Sequence, residues 1–324
     1  KCKPKRYLWV DNLKMFACLL VVIGHFYMSM MAGGWISENN ILYCWPIQTV
    51  YTFHVPLFFV CSGFLYQATA PNEWNVKKRI GNIKKKALAL GVPYVTFSTI
   101  TLLLKNVFAT DVNNAAPPFL KTLLIEPIAP YWYLYTLFLL FCLIPPVIGK
   151  EKRKPLVSMV VIACFMKIIY VGWLADKAIP DLVAKVMASA VWFCIGMLIT
   201  ATPFKKSKLA DGTAAGMVIL ACILSYFVYS TPTDNAKAQF IFASIFVLVI
   251  TYFFQSKEQY KTDGLVSHSA KYFMPVYVLH TIVAAGVRTV LLKIGISSGI
   301  LHFMIGFSVS VFVPIVIYII AEKQ

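Results

Sequence analysis

The sequence is short of charge, and of negative charge above all. Only 13% of its 324 residues are charged against 59% hydrophobic, and 13 Asp and Glu stand beside 30 Lys and Arg. Soluble domains carry about 25% charged residues, so a water-facing surface around an ordinary core is excluded. The mean hydropathy of +0.73 agrees. No C-x-x-C pair occurs, which removes the usual zinc and dithiol sites, and no metal is expected. Of eight cysteines, Cys18, Cys61, Cys142, Cys164, Cys194 and Cys222 fall in apolar runs, while Cys2 and Cys44 fall on opposite expected sides. They read as small hydrophobes, not as a disulfide framework. There is no internal repeat, low-complexity tract or long linker, so residues 1–324 are expected to form one unit. A basic helix with interleaved aromatics is also missing, which sets nucleic acid aside despite the net charge of +17.

What is present is a series of apolar stretches near bilayer length. They predict an all-α integral membrane protein of about ten transmembrane helices. The spans are expected near 8–31, 46–69, 85–108, 130–148 and 155–174, then 182–202, 213–231, 238–255, 270–293 and 298–321. Lys and Arg collect in alternate connections. The tail with Arg6, the stretch Lys77–Lys86, the stretch Lys150–Lys154 and their counterparts further on hold 21, against four (Lys121, Lys177, Lys237, Lys293) on the other side. Cytoplasmic loops retain positive charge, so both termini are expected in the cytoplasm. The first segment carries Asp11 and Lys14 and lacks a small-x-small cleavage site, so it is expected to stay as a span.

A charge at the bilayer centre costs at least ~2.5–3.5 kcal/mol, so each polar residue inside a span asks for a reason. On the first helix Lys14, Cys18, Val21 and His25 share a stripe within about 40°, with Asp11 about 60° away and His25 about 16 Å from Lys14 along the axis. The second helix runs back with His54 at a depth similar to that of His25, followed by Pro56 and Gly63. Two imidazoles can thus be offered to one cavity, and Gly63 permits close helix approach. The ninth helix aligns Tyr277, Thr281 and Arg288, with His280 about 60° aside. Tyr131, Trp132, Tyr133 and Tyr135 open the fourth span as either an interfacial belt or a binding wall. Lys167 is open between a cavity and a helix interface. Lys105, Lys185 and Lys293 can snorkel. His268 and His302, at helix ends, read as structural.

These residues resemble a known family. Tyr7-Leu8-Trp9-Val10-Asp11-Asn12-Leu13-Lys14, followed by Val21-Val22-Ile23-Gly24-His25, is similar to the opening signature of the membrane-bound acyltransferase 3 family. Phe53-His54-Val55-Pro56-Leu57-Phe58-Phe59 with Ser62-Gly63-Phe64 is similar to its second-helix motif. Weaker matches are Tyr131-Trp132-Tyr133-Leu134, Gly196-Met197 and Pro275-Val276-Tyr277-Val278-Leu279-His280. The forms look most like the branch related to fucose 4-O-acetylase and the exopolysaccharide acyltransferases. Lys14 stands where many members have Arg, and the paired arginines that often precede Pro-Tyr in the third helix are absent before Pro93-Tyr94.

The resemblance implies O-acyl transfer, usually of acetyl from acetyl-CoA as donor substrate, with no bound cofactor. The acceptor would be a hydroxyl of a cell-surface carbohydrate or its lipid-linked precursor, in a bacterial inner membrane. Under it His25, Lys14 and Asp11 are the expected catalytic residues. His54, Tyr277, His280, Arg288 and Trp132 are expected to bind the acceptor, and Arg79, Lys84, Lys85 and Lys86 the donor. The basic stretch also reads, and more simply, as a topology marker. Midmembrane His and Arg would also suit a proton-coupled transporter or a glycan-lipid flippase. The lack of an inverted repeat or of paired broken helices speaks against that class.

Overall fold

A backbone in hydrocarbon must satisfy its own hydrogen bonds, and the apolar runs do so as helices. The computed structural model describes residues 6–37, 39–109, 116–175, 177, 179–230, 235–257 and 270–323. Cys2, Lys1, Lys3, Lys5, Lys261 and His268 lie outside the described residues. The helices are α1 (Leu8–Ala32), α2 (Ile41–Ala68), α3 (Val76–Val107), α4 (Phe119–Leu124), α5 (Trp132–Leu143) and α6 (Arg153–Leu174). After them come α7 (Asp181–Ile199), α8 (Lys208–Val228), α9 (Ala236–Lys257), α10 (Phe273–Lys293) and α11 (Gly299–Glu322). Among the described residues nine are long and apolar enough to cross a membrane: all but α4 and α5.

Three expectations change in detail. The third span begins at Val76, not at 85, because the basic turns Val76–Lys86 run into the apolar helix through a π-turn at Ala87–Gly91. Asn75 caps it by accepting from the Lys78 amide at 3.0 Å. The 32-residue helix is about 48 Å long, more than a bilayer core of about 30 Å. Its basic end is therefore exposed to water. The fourth span, expected over 130–148, is helical only over Trp132–Leu143. Ile144 precedes Pro145, which disfavours helical backbone, and it is extended with ψ 108. Arg79 closes this short helix by donating from Nη2 to the Cys142 carbonyl at 3.1 Å. The small helix α4 was not foreseen. Pro46, expected to open the second span, lies inside α2.

The buried core gathers the inner faces of α1, α2, α5, α7 and α10, with Trp9, Leu13, Phe58, Phe59, Tyr131, Phe193 and Met197 among its enclosed side chains. Helices α6, α8 and α11 turn large apolar residues such as Phe165, Ile219 and Phe312 outward. The described cysteines are all free, and the buried Cys18 and Cys61 direct their thiols at carbonyls 3.9 Å away.

The tightest crossing joins α2 to α7. A Cβ placed on Gly63 would collide with the Phe193 carbonyl, and one on Gly196 with the Val60 carbonyl. Each helix thus presents a glycine to the other's backbone, an approach only small residues allow. The obstacles are main-chain atoms, so neither clash is relieved by a side-chain rotation. We expect Gly63→Ala and Gly196→Ala each to destabilise the purified protein by about 1–3 kcal/mol, read as a lower thermal midpoint in detergent. Gly216→Ala on α8, where an added Cβ meets nothing within 4 Å, should leave the midpoint in place.

Candidate functional site

Two cavities lie at different depths along α1. The first, about 300 Å³, is walled by α1, α2, α6, α7, α9 and α10 and by the turn Ala129–Trp132. Its lining brings together His25, Tyr51, His54, Trp132, Lys167, Trp192 and Tyr277. The two imidazoles of the opening helices thus do share one cavity. Tyr51 stands between them, its ring centroid 6.4 Å from that of His25 and 4.7 Å from that of His54. Gly24 makes room for it, since a Cβ there would lie 2.7 Å from Tyr51 Cε2.

Hydrogen bonds fix two of the three imidazoles. His54 Nδ1 donates to the Val50 carbonyl at 2.8 Å, one turn back on its own helix, which leaves Nε2 as the unprotonated nitrogen of the neutral ring. His280 Nδ1 sits 2.8 Å from the Tyr277 carbonyl and 3.1 Å from that of Val276. Its Nε2 is buried without a partner, and its ring centroid is 5.3 Å from that of His25. His280 therefore stands behind His25 and outside the cavity lining.

The aromatic opening of α5 divides. Trp132 faces the cavity, whereas Tyr131 and Tyr133 are core residues. Tyr131 donates to the Val278 carbonyl at 3.0 Å and lies 3.0 Å from Thr101 Oγ1. Tyr133 lies 3.2 Å from Ser62 Oγ. The Tyr277 hydroxyl donates to the Pro130 carbonyl, so α10 and the turn before α5 are bonded in both directions.

Other expected site residues lie elsewhere. Arg288 donates to Ser29 Oγ at 2.6 Å and stands about 12 Å along α10 from His280, away from the cavity lining. Asp11 is paired with Arg6 at 2.6 Å, at the mouth of α1. Lys14 is separated from His25 by the length of α1 between them, and its charge interacts with that of Lys86. Lys86 bends over the Phe141 ring at 4.1 Å, Arg79 caps α5, and Lys84 and Lys85 are exposed. His302 donates from Nε2 to the Ile296 carbonyl at 2.7 Å and is fully buried, a structural residue.

Several lining residues were missed. Tyr51 lies three residues before His54, which puts both on one helix face. Gln239 is a polar residue in the first turn of α9, a weak signal. Ser189 and Trp192 carry no comparable mark.

The second cavity, about 760 Å³, opens at the opposite end of α1 between Tyr7, Trp9, Phe64 and the basic segment Lys150, Lys152, Arg153 and Lys154. Two glutamines pin its walls. Gln67 donates to the Val147 carbonyl at 2.8 Å and accepts from the Val147 amide at 2.9 Å, and Gln255 accepts from the Phe204 amide at 3.0 Å. Trp9 and Val21, one lining each cavity, are about 18 Å apart along the helix. Val10, Leu13, Ala17 and Cys18 between them are buried.

A family profile described as an acyltransferase domain, Acyl_transf_3, matches residues 7–319. A similar protein is Nodulation protein NolL of Mesorhizobium japonicum, 27% identical over 143 residues, which are 43% of this chain and 35% of that protein. The match spans about a third of that relative's length. No solved structure matches the chain significantly.

Replacing Tyr131 by Phe leaves the buried Val278 carbonyl without its side-chain donor. We expect this to cost about 1–3 kcal/mol, measured as a fall in the thermal midpoint; an unchanged midpoint would show that the hydroxyl does not tie α5 to α10.

Proposed function

The chain belongs to the acyltransferase 3 family, and from that premise we propose that this membrane acyltransferase moves an acetyl group from acetyl-CoA to a hydroxyl of a cell-surface polysaccharide or its lipid-linked precursor. The observation that carries the reading is the cavity shared by His25 and His54 under Trp132 and Trp192. It offers a neutral imidazole base, aromatic faces on which a sugar ring can rest, and an apolar surround that strengthens every polar contact made inside it.

In this mechanism His25 is the general base. The acceptor hydroxyl oxygen attacks the thioester carbonyl carbon as its proton passes to a His25 ring nitrogen, and the tetrahedral oxyanion so formed collapses with breakage of the carbon–sulfur bond. His25 returns the proton to the departing sulfur, releasing CoA as the free thiol and the acceptor as its ester. The Tyr51 hydroxyl, in the same lining, is a donor for the oxyanion that develops. His280 is a positioning residue. Its Nδ1–H is committed to backbone carbonyls, so its Nε2 can accept from one nitrogen of His25 and keep the other turned to the cavity.

The donor's phosphates are assigned to the other end of α1. The basic cavity beside Lys150–Lys154 suits them by charge and size. Lys14 and Lys86, whose charges interact, extend the positive field inward. This moves the donor contact from Lys84 and Lys85 to the wall of that cavity, where Lys150, Lys152, Arg153 and Lys154 outnumber Glu151. In this reading that wall faces the cytoplasm and the histidine cavity lies in the outer half of the membrane, an orientation that the charge asymmetry of the connections supports. The acyl arm then has to pass the buried stretch of α1 between them.

The test is thiol release from acetyl-CoA by the purified protein, with and without a surface-glycan or lipid-linked glycan extract. Release should require the extract and fall roughly 10²–10⁴-fold in His25→Ala. His280→Ala should lower kcat by roughly 10- to 100-fold with KM for the acceptor little changed. Full activity in His25→Ala would remove the base assignment. A folded protein that neither binds CoA nor releases thiol from any acyl donor would redirect the reading to transport.

A further inference from the structure

One cationic side chain in the histidine cavity has no part in the chemistry above. Lys167 lies deep in α6, about 21 Å along the helix from Arg153, where an ammonium is costly to hold. It does not escape to an interface. It lines the cavity that holds His25 and His54, with Nζ 5.6 Å from the Tyr170 ring centroid and 5.8 Å from that of Phe240. Two aromatic faces thus take the place of part of its hydration.

Among the described residues no counter-charge answers it. No described Asp or Glu lines the cavity, and Lys167 is in none of the ion pairs found among the described residues. The neighbouring Lys185 shows the contrast. It sits over Trp132 at 5.3 Å and is paired with Asp181 on its own helix, so its charge is answered within the protein. The remaining polar lining, with Gln239, Ser189 and Thr52, is neutral.

From this asymmetry we infer that the ligand of the cavity brings the negative charge: the acceptor presents an anionic group, a carboxylate or a phosphate, to Lys167. This rests on the acceptor reading of the cavity given above and narrows it to acidic acceptors. The group could belong to an acidic sugar or to the phosphate of a lipid carrier. A cavity of about 300 Å³ suits a single sugar residue and its acidic substituent. Lys167 is then a specificity-determining residue, and His25 remains the base.

The experiment is calorimetric binding to the purified full chain, in wild type, Lys167→Met and Lys167→Arg, with melting curves to show that each is folded. The probes are a glucuronate-bearing oligosaccharide, its carboxyl-reduced neutral counterpart, a polyprenyl-pyrophosphate-linked sugar and the same sugar on a neutral polyprenol. Wild type should bind at least one anionic probe roughly 10- to 100-fold more tightly than its neutral counterpart, the worth of one charge-assisted contact. The preference should disappear in Lys167→Met and persist in Lys167→Arg. A preference confined to the glucuronate probe assigns the charge to the sugar, and one confined to the pyrophosphate probe assigns it to the carrier. Equal binding of anionic and neutral probes, a preference that survives Lys167→Met, or no binding of either anionic probe overturns the inference. Thiol release measured alongside separates the two readings. Neutral acceptors that drive release as well as acidic ones sink the inference and leave the acyltransferase standing. Lys167-dependent binding of an acid without release from any donor does the reverse.

Discussion

The reciprocal glycine contact between α2 and α7 sets the dimensions of everything around it. With Gly63 against the Phe193 carbonyl and Gly196 against the Val60 carbonyl, the two helices meet main chain to main chain, and their relative position has no side-chain slack. The histidine cavity is built outward from that line. His54 is nine residues before Gly63 on one helix, and Ser189 and Trp192 come just before Gly196 on the other. Helix α1 packs on α2 and carries His25, α5 is held by Tyr133 near Ser62, and α10 is tied to the head of α5 through Tyr131 and Tyr277. In lipid, where apolar surface gains little by meeting other apolar surface, such close steric fits and buried hydrogen bonds position a site.

Most of the fold was legible because the bilayer imposes a length. Apolar runs bounded by charge gave nine of the ten expected spans as long helices, and the ends of α1, α7 and α11 fall within a few residues of expectation. The sequence misled where a run was apolar but its backbone could not stay helical. Nothing in the hydropathy of Trp132–Gly149 warns of the break, and only Pro145-Pro146 does. The converse error, starting α3 too late, came from treating charge as a boundary when Lys77–Lys86 simply continue the helix into water.

Of the site, the parts that share an element were readable and those that depend on depth across elements were not. His25 and His54 were matched because residues can be counted from each span's outer end. His280 belongs to the same group, but its place behind His25 follows from the packing of α10 on α1, which no spacing states. Lys14 and Arg288 share helices with His25 and His280 respectively, and that shared stripe invited one site where the structure has separate neighbourhoods. Lys167 was undecided on sequence for the same reason: its helix faces both lipid and protein, and only the neighbours Phe240 and Tyr170 say which way the ammonium turns.

The short helix α5 has a consequence of its own. A crossing needs about 20 residues, and α5 has 12, so about 12 Å of depth is left to be traversed by extended chain at its two ends. Lipid does not tolerate bare backbone there, but α5 is enclosed by other helices, and its ends are answered by Arg79 on one side and by the Tyr277–Pro130 bond on the other. Each end borders a place where a guest can sit: Pro130 and Trp132 line the histidine cavity, and the segment after Pro146, clamped by Gln67, leads into the basic one. Length given up by one helix becomes room for ligands. Such a scaffold can change what it admits by sliding the breaks at Pro130 and Pro145 along the chain, enlarging one chamber or the other during divergence, while the α2–α7 frame stays untouched.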